Sequence, residues 1–169
     1  MDEEFPIDIN VQKLLCFVDA SHVTDLRKRR SITGFVFTYC GGAILYQSKT
    51  QSITAGSSCE SEFIAAYSAC KVARYLRHIL KQLEFEQKEP TPVYIDNLSA
   101  LKIINDNTSP TERTCHMDIR FFALQDWKED EDIIMVHIKG TLNSSDDLTK
   151  NLGWVLHSRH CRRHMGHFG

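Results

Sequence analysis

The segment "PVYIDNLSALKII", residues 92–104, decides the fold. Residues 93–95 form a short apolar run typical of a buried strand, and apolar residues recur at every third position from Leu98, as on one face of a helix. Asp96 stands between the two elements. In open α/β sheets, ligands bind beyond the carboxyl ends of the strands, so Asp96 occupies a position typical of a functional residue.

The rest of the chain alternates between strand-like and helix-like hydrophobic patterns, in an order that predicts one mixed sheet. Gly41-Gly42 indicates a hairpin between the second and third strands. The order βββαβααβα predicts an α/β protein, a mixed sheet with helices on its faces. Predicted strands cover 13–21, 31–40, 43–49, about 92–95 and 132–138; predicted helices cover Ser58–Leu83, 98 to about 105, 113–128 and a last segment from about Ser144.

Composition is that of an ordinary globular domain, with 169 residues, 42% hydrophobic and 25% charged. We expect one domain over 1–169, with a core at about 13–152 and a basic C-terminal helix or tail at 153–169. Apolar runs are shorter than the ~20 residues that span a bilayer, and the acidic start does not resemble a signal peptide. We therefore expect a soluble, intracellular protein. A net charge of −2 does not exclude a nucleic-acid partner, because phosphates are bound by local basic patches.

The six cysteines show neither a C-x-x-C pair nor a regular spacing. Several lie inside predicted strands or helices, where cysteine is usually a small buried hydrophobe. We expect all of them to be reduced.

Acidic residues stand at the ends of several predicted elements. Asp19 ends the apolar part of the first strand and Asp96 ends the fourth, so their carboxylates can converge if those strands are neighbours. Near the start of the long helix, Glu62 lies beside the alanine face, whereas Glu60 lies on the polar face. A carboxylate turned toward packed alanines requires a partner, so Glu62 is the candidate. Glu60 has the ordinary position of an acid in a first helical turn.

A fourth carboxylate comes from "SSDDLTK", where either Asp146 or Asp147 opens the last predicted helix. Four carboxylates at one rim of a sheet repel one another unless cations lie between them. Hard oxygen ligands of this kind select Mg²⁺ or Mn²⁺. The set therefore predicts a metal site.

Seven sequence blocks, in chain order, carry a family resemblance. They are "FVDAS", "SITGFVF", "GGAILYQSKTQ", "SSCESEFIAAYSA", "VYIDNLSAL", "HMDIR" and "DDLTK", within about residues 13–152. Together they resemble the ribonuclease H domain of copia-type (Ty1/copia) LTR retrotransposon polyproteins. The resemblance implies the ribonuclease H fold, a five-stranded mixed sheet of order 3-2-1-4-5. It also implies hydrolysis of the RNA strand of RNA–DNA hybrids with two Mg²⁺ ions, for which Mn²⁺ substitutes, as in reverse transcription.

The family's four acidic ligands carry over onto Asp19, Glu62, Asp96 and Asp146 as catalytic and metal-binding residues. The block "EFIAAYSA" beginning at Glu62 is similar to the E-x-x-A-A-x-x-A pattern of cellular ribonucleases H. The resemblance favours Asp146, because the family usually has an apolar residue directly after this ligand. This chain departs from the family at that next position, where it has Asp147. A reverse transcriptase domain is an implied partner besides the hybrid. The implied location is the cytoplasm, in a virus-like particle, or the nucleus.

Two basic regions are candidates for binding the hybrid, the loop after the first strand and the polar stripe of the long helix. We expect the loop to dominate, because it follows directly from Asp19. His116 is a secondary candidate for proton transfer or product release. The substrate-binding candidates are Lys28, Arg29 and Arg30 of the loop and Lys71, Arg74 and Lys81 of the stripe.

Two other functions fit parts of the pattern. An integrase or transposase shares the fold and its carboxylates, but a helix-borne glutamate second in order favours ribonuclease H. A catalytically decayed or domesticated nucleic-acid-binding module would keep the fold without turnover. The histidines and Cys161 of the C-terminal tail have helical spacing, and we expect a basic surface helix there rather than a zinc site.

Overall fold

The computed structural model describes residues 12–25, 30–106 and 118–166, with the side chains of 23–25 and 118 excluded. Its elements follow the predicted order closely. The strands are β1 (Leu15–Asp25), β2 (Arg30–Tyr39), β3 (Gly42–Thr50), β4 (Thr91–Ile95) and β5 (Ile133–His137); the helices are α1 (Ser58–Gln82), α2 (Leu98–Asn105), α3 (Asp118–Glu129) and α4 (Trp154–His164), with 3₁₀ turns at Gly140–Leu142 and Asp146–Leu148.

The five strands form one mixed sheet of order β3-β2-β1-β4-β5. Strands β1, β2 and β3 pair antiparallel, whereas β4 pairs parallel with both β1 and β5. The predicted α/β class and strand order 3-2-1-4-5 are therefore confirmed. The topology brings β1 and β4 together at the centre of the sheet, which is the condition for Asp19 and Asp96 to meet.

The hairpin between β2 and β3 turns one residue earlier than predicted. Its two turn residues are Cys40 and Gly41, with φ of 50° and 85°, while Gly42 already pairs with Tyr39. A two-residue turn with positive φ at both positions is the type that matches the twist of paired strands, and glycine adopts it without strain. The prediction of Gly41-Gly42 as the turn is corrected accordingly.

The long helix α1 packs its small residues against the sheet. Ala65, Ala69 and Leu76 are buried in the core cluster. Leu83, the last residue of the predicted helix, is 59% exposed because α1 ends at Gln82 and Leu83 is already the C-cap. The helix thus covers the sheet mainly with its first six turns.

The last predicted helix, from about Ser144, is wrong in its extent. The chain makes only a short 3₁₀ turn at Asp146–Leu148, and α4 begins at Trp154. Gly153 precedes it with extended backbone angles of φ −61° and ψ 152°, so no continuous helix crosses this position. The interruption places residues 146–150 in a tight loop beside β2.

The cysteines in the described part of the chain carry free thiols. Cys16, Cys40, Cys59, Cys70 and Cys161 are unpaired, as predicted; Cys115 lies outside the described residues. Among the helices described, none combines the length and the apolar character that crossing a membrane requires.

Candidate active site

Asp19 and Asp96 lie side by side at the centre of the sheet. Phe17 of β1 pairs with Tyr94 of β4 in parallel register, and the two aspartates follow two residues further along each strand. Asp19 lies inside β1 rather than at its end, because β1 continues to Asp25 in its pairing with β2 after β4 has stopped. The Asp19 side chain is fully buried.

Asp146 joins this pair from the second 3₁₀ turn. One carboxylate oxygen from each of Asp19, Asp96 and Asp146 lies within 4.8 Å of the other two. Its neighbour Asp147 instead belongs to the surroundings of α4, with Oδ2 3.6 Å from Nδ1 of His164. Of the two alternatives, Asp146 is the one that the fold brings to the other carboxylates.

Glu62 lies on the buried face of α1, as its spacing predicts. Only 5% of the residue is exposed, and Ala66 and Ala69 on the same face are fully buried. Burial, then the charges of Asp19 and Asp96, raise the pKa of Glu62 to about 9. Its Oε2 has no hydrogen-bond partner among the described residues. Asp19, Glu62, Asp96 and Asp146 are called the acidic cluster below.

Glu60 contributes to the hydrogen bonds at the start of α1. Its carboxylate accepts a hydrogen bond of 2.7 Å from the backbone N–H of Gly56, while its own N–H donates to Oγ of Ser57. These contacts provide hydrogen-bond acceptors for backbone N–H groups at the start of the helix. The choice of Glu62 over Glu60 agrees with this arrangement.

Two further carboxylates of the acidic cluster, Asp96 and Asp146, also have raised pKa values. Burial, followed by the charge of Asp19, raises the pKa of Asp96. Burial raises the pKa of Asp146 to about 6, although its hydrogen bond from Lys150 opposes the shift. Carboxylates this close favour bound cations, because a cation removes their mutual repulsion. Oxygen donors of this kind suit Mg²⁺ and Mn²⁺.

Two residues of the "DDLTK" block contact the acidic cluster, although the sequence did not single them out. The Lys150 ammonium lies 3.1 Å from Oδ1 of Asp19 and 3.0 Å from Oδ1 of Asp146. Burial alone would lower the pKa of Lys150, but these two carboxylates raise it above its ordinary value. The hydroxyl of Thr149 donates a hydrogen bond to Oδ2 of Asp19. The only sequence signal was their spacing of three and four residues after Asp146.

Gly34 allows the 146–150 loop to approach the sheet. It pairs with Asp19 across the β1–β2 ladder. A Cβ at Gly34 would lie 2.5 Å from Cγ2 of Thr149 and 2.9 Å from Cβ of Leu148, which is closer than packed atoms allow. Glycine is therefore required where the loop crosses β2 beside the acidic cluster.

Asn143 fixes the same loop to β1. Its buried side chain donates a hydrogen bond of 2.9 Å to the carbonyl of Val18, next to Asp19, and accepts one of 2.7 Å from the hydroxyl of Ser145. These contacts hold the start of the loop at the level of the acidic cluster. Asn143 was not predicted from the sequence, because a single asparagine in a loop carries no distinguishing pattern.

The basic candidates that the structure describes lie on α1 and at the start of β2. Arg74 pairs with Asp132 at 2.6 Å, and Lys81 pairs with Glu86 at 2.6 Å, whereas Lys71 is exposed. Arg30 opens β2 opposite Asp25. The structure does not bring any of these residues into the acidic cluster. Lys28, Arg29 and His116 lie outside the described residues, so their predicted roles stay predictions.

Solved structures with the same fold include a ribonuclease H and a viral protease-reverse transcriptase. LC11-RNase H1, isolated from compost, superposes with a TM-score of 0.59 at 17% identity, covering 82% of this chain and 94% of that protein. A second structure of it, in complex with an RNA/DNA hybrid, gives 0.59 at 16% identity, over 81% and 94% of the two chains. The prototype foamy virus protease-reverse transcriptase gives 0.50 at 13% identity, over 88% of this chain and 22% of that one.

Fold and acidic cluster together define this chain as a ribonuclease H-like domain. By sequence, it is related to the Pol polyprotein of the Ty1/copia transposon TNT 1-94 from Nicotiana tabacum, with 37% identity over 134 residues. That match covers 79% of this chain and 10% of the polyprotein. A shorter match, 38% identical over 64 residues, is to secreted RxLR effector protein 161 of Plasmopara viticola, over 38% of this chain and 45% of that protein.

The chain thus spans less than half the length of either of these curated relatives. No protein-family model matches it.

Proposed function

We propose that this domain is a metal-dependent endonuclease that hydrolyses the RNA strand of RNA–DNA hybrids, as in reverse transcription of a retrotransposon. The observation that carries the proposal is the convergence of Asp19, Asp96 and Asp146 within 4.8 Å, with buried Glu62 beside them. Three separate parts of the fold and one helix contribute these carboxylates. Metal-assisted hydrolysis of a phosphodiester uses such a group of carboxylates to hold cations beside a negatively charged substrate.

The donor set fits Mg²⁺, with Mn²⁺ as a substitute. All four side chains offer hard oxygen atoms, and Oε2 of Glu62 is buried without a hydrogen-bond partner among the described residues. Asp19, Glu62, Asp96 and Asp146 would hold the metal. When bound, the ions would activate a water and stabilise the leaving oxygen of the scissile phosphate.

Residues around the acidic cluster would keep its carboxylates in place. Thr149 and Lys150 bind the two oxygens of Asp19, so that side chain has a fixed orientation. Lys150 also contacts Asp146 and supplies one positive charge against the repulsion within the cluster. The 2′-hydroxyl distinguishes RNA from DNA, and a carboxylate of the cluster beside the scissile bond is the group suited to accept its hydrogen bond.

Two comparisons support the proposed partners. LC11-RNase H1, which has this fold, has been crystallised with an RNA/DNA hybrid. The foamy virus structure combines the fold with a reverse transcriptase, and the TNT 1-94 relative is a Pol polyprotein. On this basis an RNA–DNA hybrid is the proposed substrate and a reverse transcriptase domain the proposed partner, within the cell.

A substrate panel tests the reaction. The purified chain is incubated in Mg²⁺ with one sequence prepared as RNA–DNA hybrid, duplex DNA and duplex RNA, each labelled on one strand. We expect cleavage of the RNA strand of the hybrid alone, and its loss in excess chelator. Cleavage of duplex DNA would favour an integrase or transposase activity instead.

One observation favours a second function, binding without turnover. The Lys150 ammonium bridges two of the four proposed ligands, and in a decayed module it would take the place of a metal ion. Such a module would bind the hybrid but cleave none of the three substrates in either Mg²⁺ or Mn²⁺. Hybrid binding measured beside the panel separates the two functions.

A further inference from the structure

A second group of metal-ligating side chains lies where the C-terminal helix meets the 146–150 loop. A carboxylate oxygen of Asp147, a ring nitrogen of His157 and Sγ of Cys161 all lie within 4.8 Å of one another. His157 and Cys161 are four residues apart on α4, so they share one face of the helix. Asp147 approaches that face from the 3₁₀ turn. The sequence analysis favoured a basic surface helix here, because zinc sites usually show two pairs of ligands separated by a loop.

The spacing of the two helical ligands matches a tetrahedral site. Sγ of Cys161 lies 3.5 Å from Nε2 of His157. Two ligands of one zinc ion, at about 2.3 Å for sulfur and 2.1 Å for nitrogen, are roughly 3.6 Å apart at the tetrahedral angle. The observed distance between Cys161 and His157 therefore matches the distance between two ligands of one zinc ion.

Asp147 is buried with an unsatisfied oxygen. Its side chain is only 6% exposed, and Oδ1 has no hydrogen-bond partner among the described residues. Its Oδ2 lies 3.6 Å from Nδ1 of His164, which is too long for a hydrogen bond. A buried carboxylate in this state costs free energy unless a cation binds it.

His164 is oriented as a metal-binding histidine usually is. Its Nε2 lies 2.9 Å from the carbonyl oxygen of Ser144, so Nε2 carries the proton and donates it. In the neutral ring, Nδ1 then presents its lone pair on the side of Asp147. A histidine that binds a metal through one ring nitrogen commonly donates the N–H of its other ring nitrogen to a backbone carbonyl, which fixes the orientation of the ring.

We propose that Asp147, His157 and Cys161 bind one zinc ion, and that His164, which is not in the group of three within 4.8 Å but whose Nδ1 lies 3.6 Å from Oδ2 of Asp147, turns in as the fourth ligand. One thiolate, two imidazoles and one carboxylate form a donor set that favours zinc over Mg²⁺. The ion would join the 3₁₀ turn to α4. This site shares no residue with the acidic cluster and does not depend on the proposed nuclease activity.

Cobalt replaces zinc as a spectroscopic probe of the thiolate. The full chain, freed of metal by a chelator and kept in excess Mg²⁺ to occupy the acidic cluster, is titrated with Co²⁺. We expect a sulfur-to-cobalt charge-transfer band in the near ultraviolet, together with the intense visible bands of tetrahedral cobalt, saturating at one equivalent. Added Zn²⁺ should displace the cobalt and abolish both features.

Matched variants assign the ligands. Cys161→Ser should lose the charge-transfer band, while Cys59→Ser, which changes another partly buried free thiol, should keep it. His157 is exposed, so His157→Gln leaves the fold intact and should weaken Co²⁺ binding at least tenfold. If the wild type gives no thiolate band, or if Cys161→Ser retains it, the proposal is wrong. In that case His164 and Asp147 form an ion pair only.

Discussion

At the scale of single residues, Asp19 is the one on which the acidic cluster depends most. It is fully buried, and both of its oxygens are bound, by Thr149 and by Lys150. The other carboxylates of the cluster are less satisfied, and Oε2 of Glu62 has no hydrogen-bond partner among the described residues. The cluster therefore combines one fixed carboxylate with three whose pKa is raised, and a bound cation would favour their ionised form.

The two glutamates of the first turns of α1 give a residue-scale prediction with an internal control. Glu62→Gln should lower the rate of hybrid cleavage by about two or more orders of magnitude, because it removes a charged oxygen donor from the acidic cluster. Glu60→Gln should change the rate less than about threefold, since the Glu60 carboxylate bonds the backbone N–H of Gly56 at the start of the helix. Single-turnover cleavage of a labelled hybrid measures both. Equal losses in the two variants would contradict the assignment of Glu62.

The raised pKa of Glu62 predicts how stability depends on pH without metal. The carboxyl has a pKa of about 9 in the folded chain against 4.5 in the unfolded chain. Its stabilising contribution is complete below 4.5 and is lost as pH rises toward 9. In chelator, the free energy of unfolding should therefore fall over this window, by at most about 1.4 kcal/mol per pH unit from this group. Asp146, with a pKa of about 6, contributes in the same direction below that pH.

Urea unfolding at a series of pH values, in chelator, measures this dependence. Above about pH 6, the free energy of unfolding of Glu62→Gln should fall less steeply with pH than that of the wild type, because the amide does not ionise. Glu60→Gln serves as the matched control and should keep the parental decline. A Glu62→Gln variant with an unchanged pH dependence would show that Glu62 is already ionised in the folded protein.

The acidic residues of the candidate site could be predicted from the sequence because each has a local signature. Asp96 stands between strand and helix periodicities, and Glu62 falls on the alanine face of a regular helix. Thr149, Lys150 and Asn143 act through contacts across 125 to 131 residues of sequence, so no local pattern marks them. The path of the loop that brings them to Asp19 had to be known first.

At the scale of secondary-structure elements, the site is assembled by a loop that crosses β2. Residues 145–149 lie against Gly34, directly across the ladder from Asp19. The loop carries Asp146 to the acidic cluster on one side and Asp147 toward α4 on the other. Its position against the sheet therefore determines both proposed metal sites.

Gly34→Ala tests this arrangement at the element scale. The added methyl group would overlap Thr149 and Leu148, and overpacking of this kind costs roughly 1–3 kcal/mol of unfolding free energy. The shifted loop would also move Asp146 away from Asp19, so hybrid cleavage should fall by at least about tenfold. Thermal unfolding and initial rates measure the two effects.

Gly153→Ala is the matched control for that substitution. Its added methyl would meet no atom within 4 Å, and its φ of −61° suits any residue. We expect stability and rate to stay near the parental values. A Gly34→Ala variant that behaves like Gly153→Ala would contradict the close approach of the loop to β2.

The prediction of elements from sequence succeeded where periodicity extends over many residues and failed at the C-terminal end. The 25 residues of α1 and the three strands of the meander give clear patterns. Between Ser144 and Trp154, helix-compatible residues are bent into a 3₁₀ turn by Asn143, Thr149 and Lys150, which bond to β1 rather than along a helix. Tertiary contacts override local preference there.

At the scale of the whole molecule, the basic stripe of α1 and the described end of the β1–β2 hairpin lie toward opposite ends of the strands. Arg74 binds Asp132, which precedes β5, whereas Asp96 follows the carboxyl end of the parallel strand β4. The β1–β2 hairpin extends the other way, and its Asp25–Arg30 pair lies six residues beyond Asp19, about 20 Å along an extended strand. The described end of the hairpin, at Asp25 and Arg30, therefore lies on the side of the sheet that carries the acidic cluster.

This geometry predicts which basic residues bind the hybrid. Neutralising Lys28, Arg29 and Arg30 together should raise KM and reduce the slope of log affinity against log salt, by roughly 0.7 to 0.9 for each phosphate that these side chains neutralise, with little change in kcat. Neutralising Lys71, Arg74 and Lys81 should matter less, since Arg74 and Lys81 are already paired with acids. Binding measured across a salt series compares the two variants. A parental slope in the loop variant and a reduced one in the helix variant would place the hybrid along α1.

The central claim, that the acidic cluster is a metal-dependent hydrolytic site, is tested most directly by the rate of RNA-strand cleavage in Mg²⁺ for Asp96→Asn. Loss of one ligand at the centre of the cluster should remove several kcal/mol of charge stabilisation, so we predict a fall of roughly a thousandfold or more. In chelator the variant should unfold at the same or a higher temperature than the wild type, because one repelling charge is gone. Asp106→Asn, at the exposed end of α2, should cleave at the parental rate. Parental cleavage by a folded Asp96→Asn variant would contradict the account.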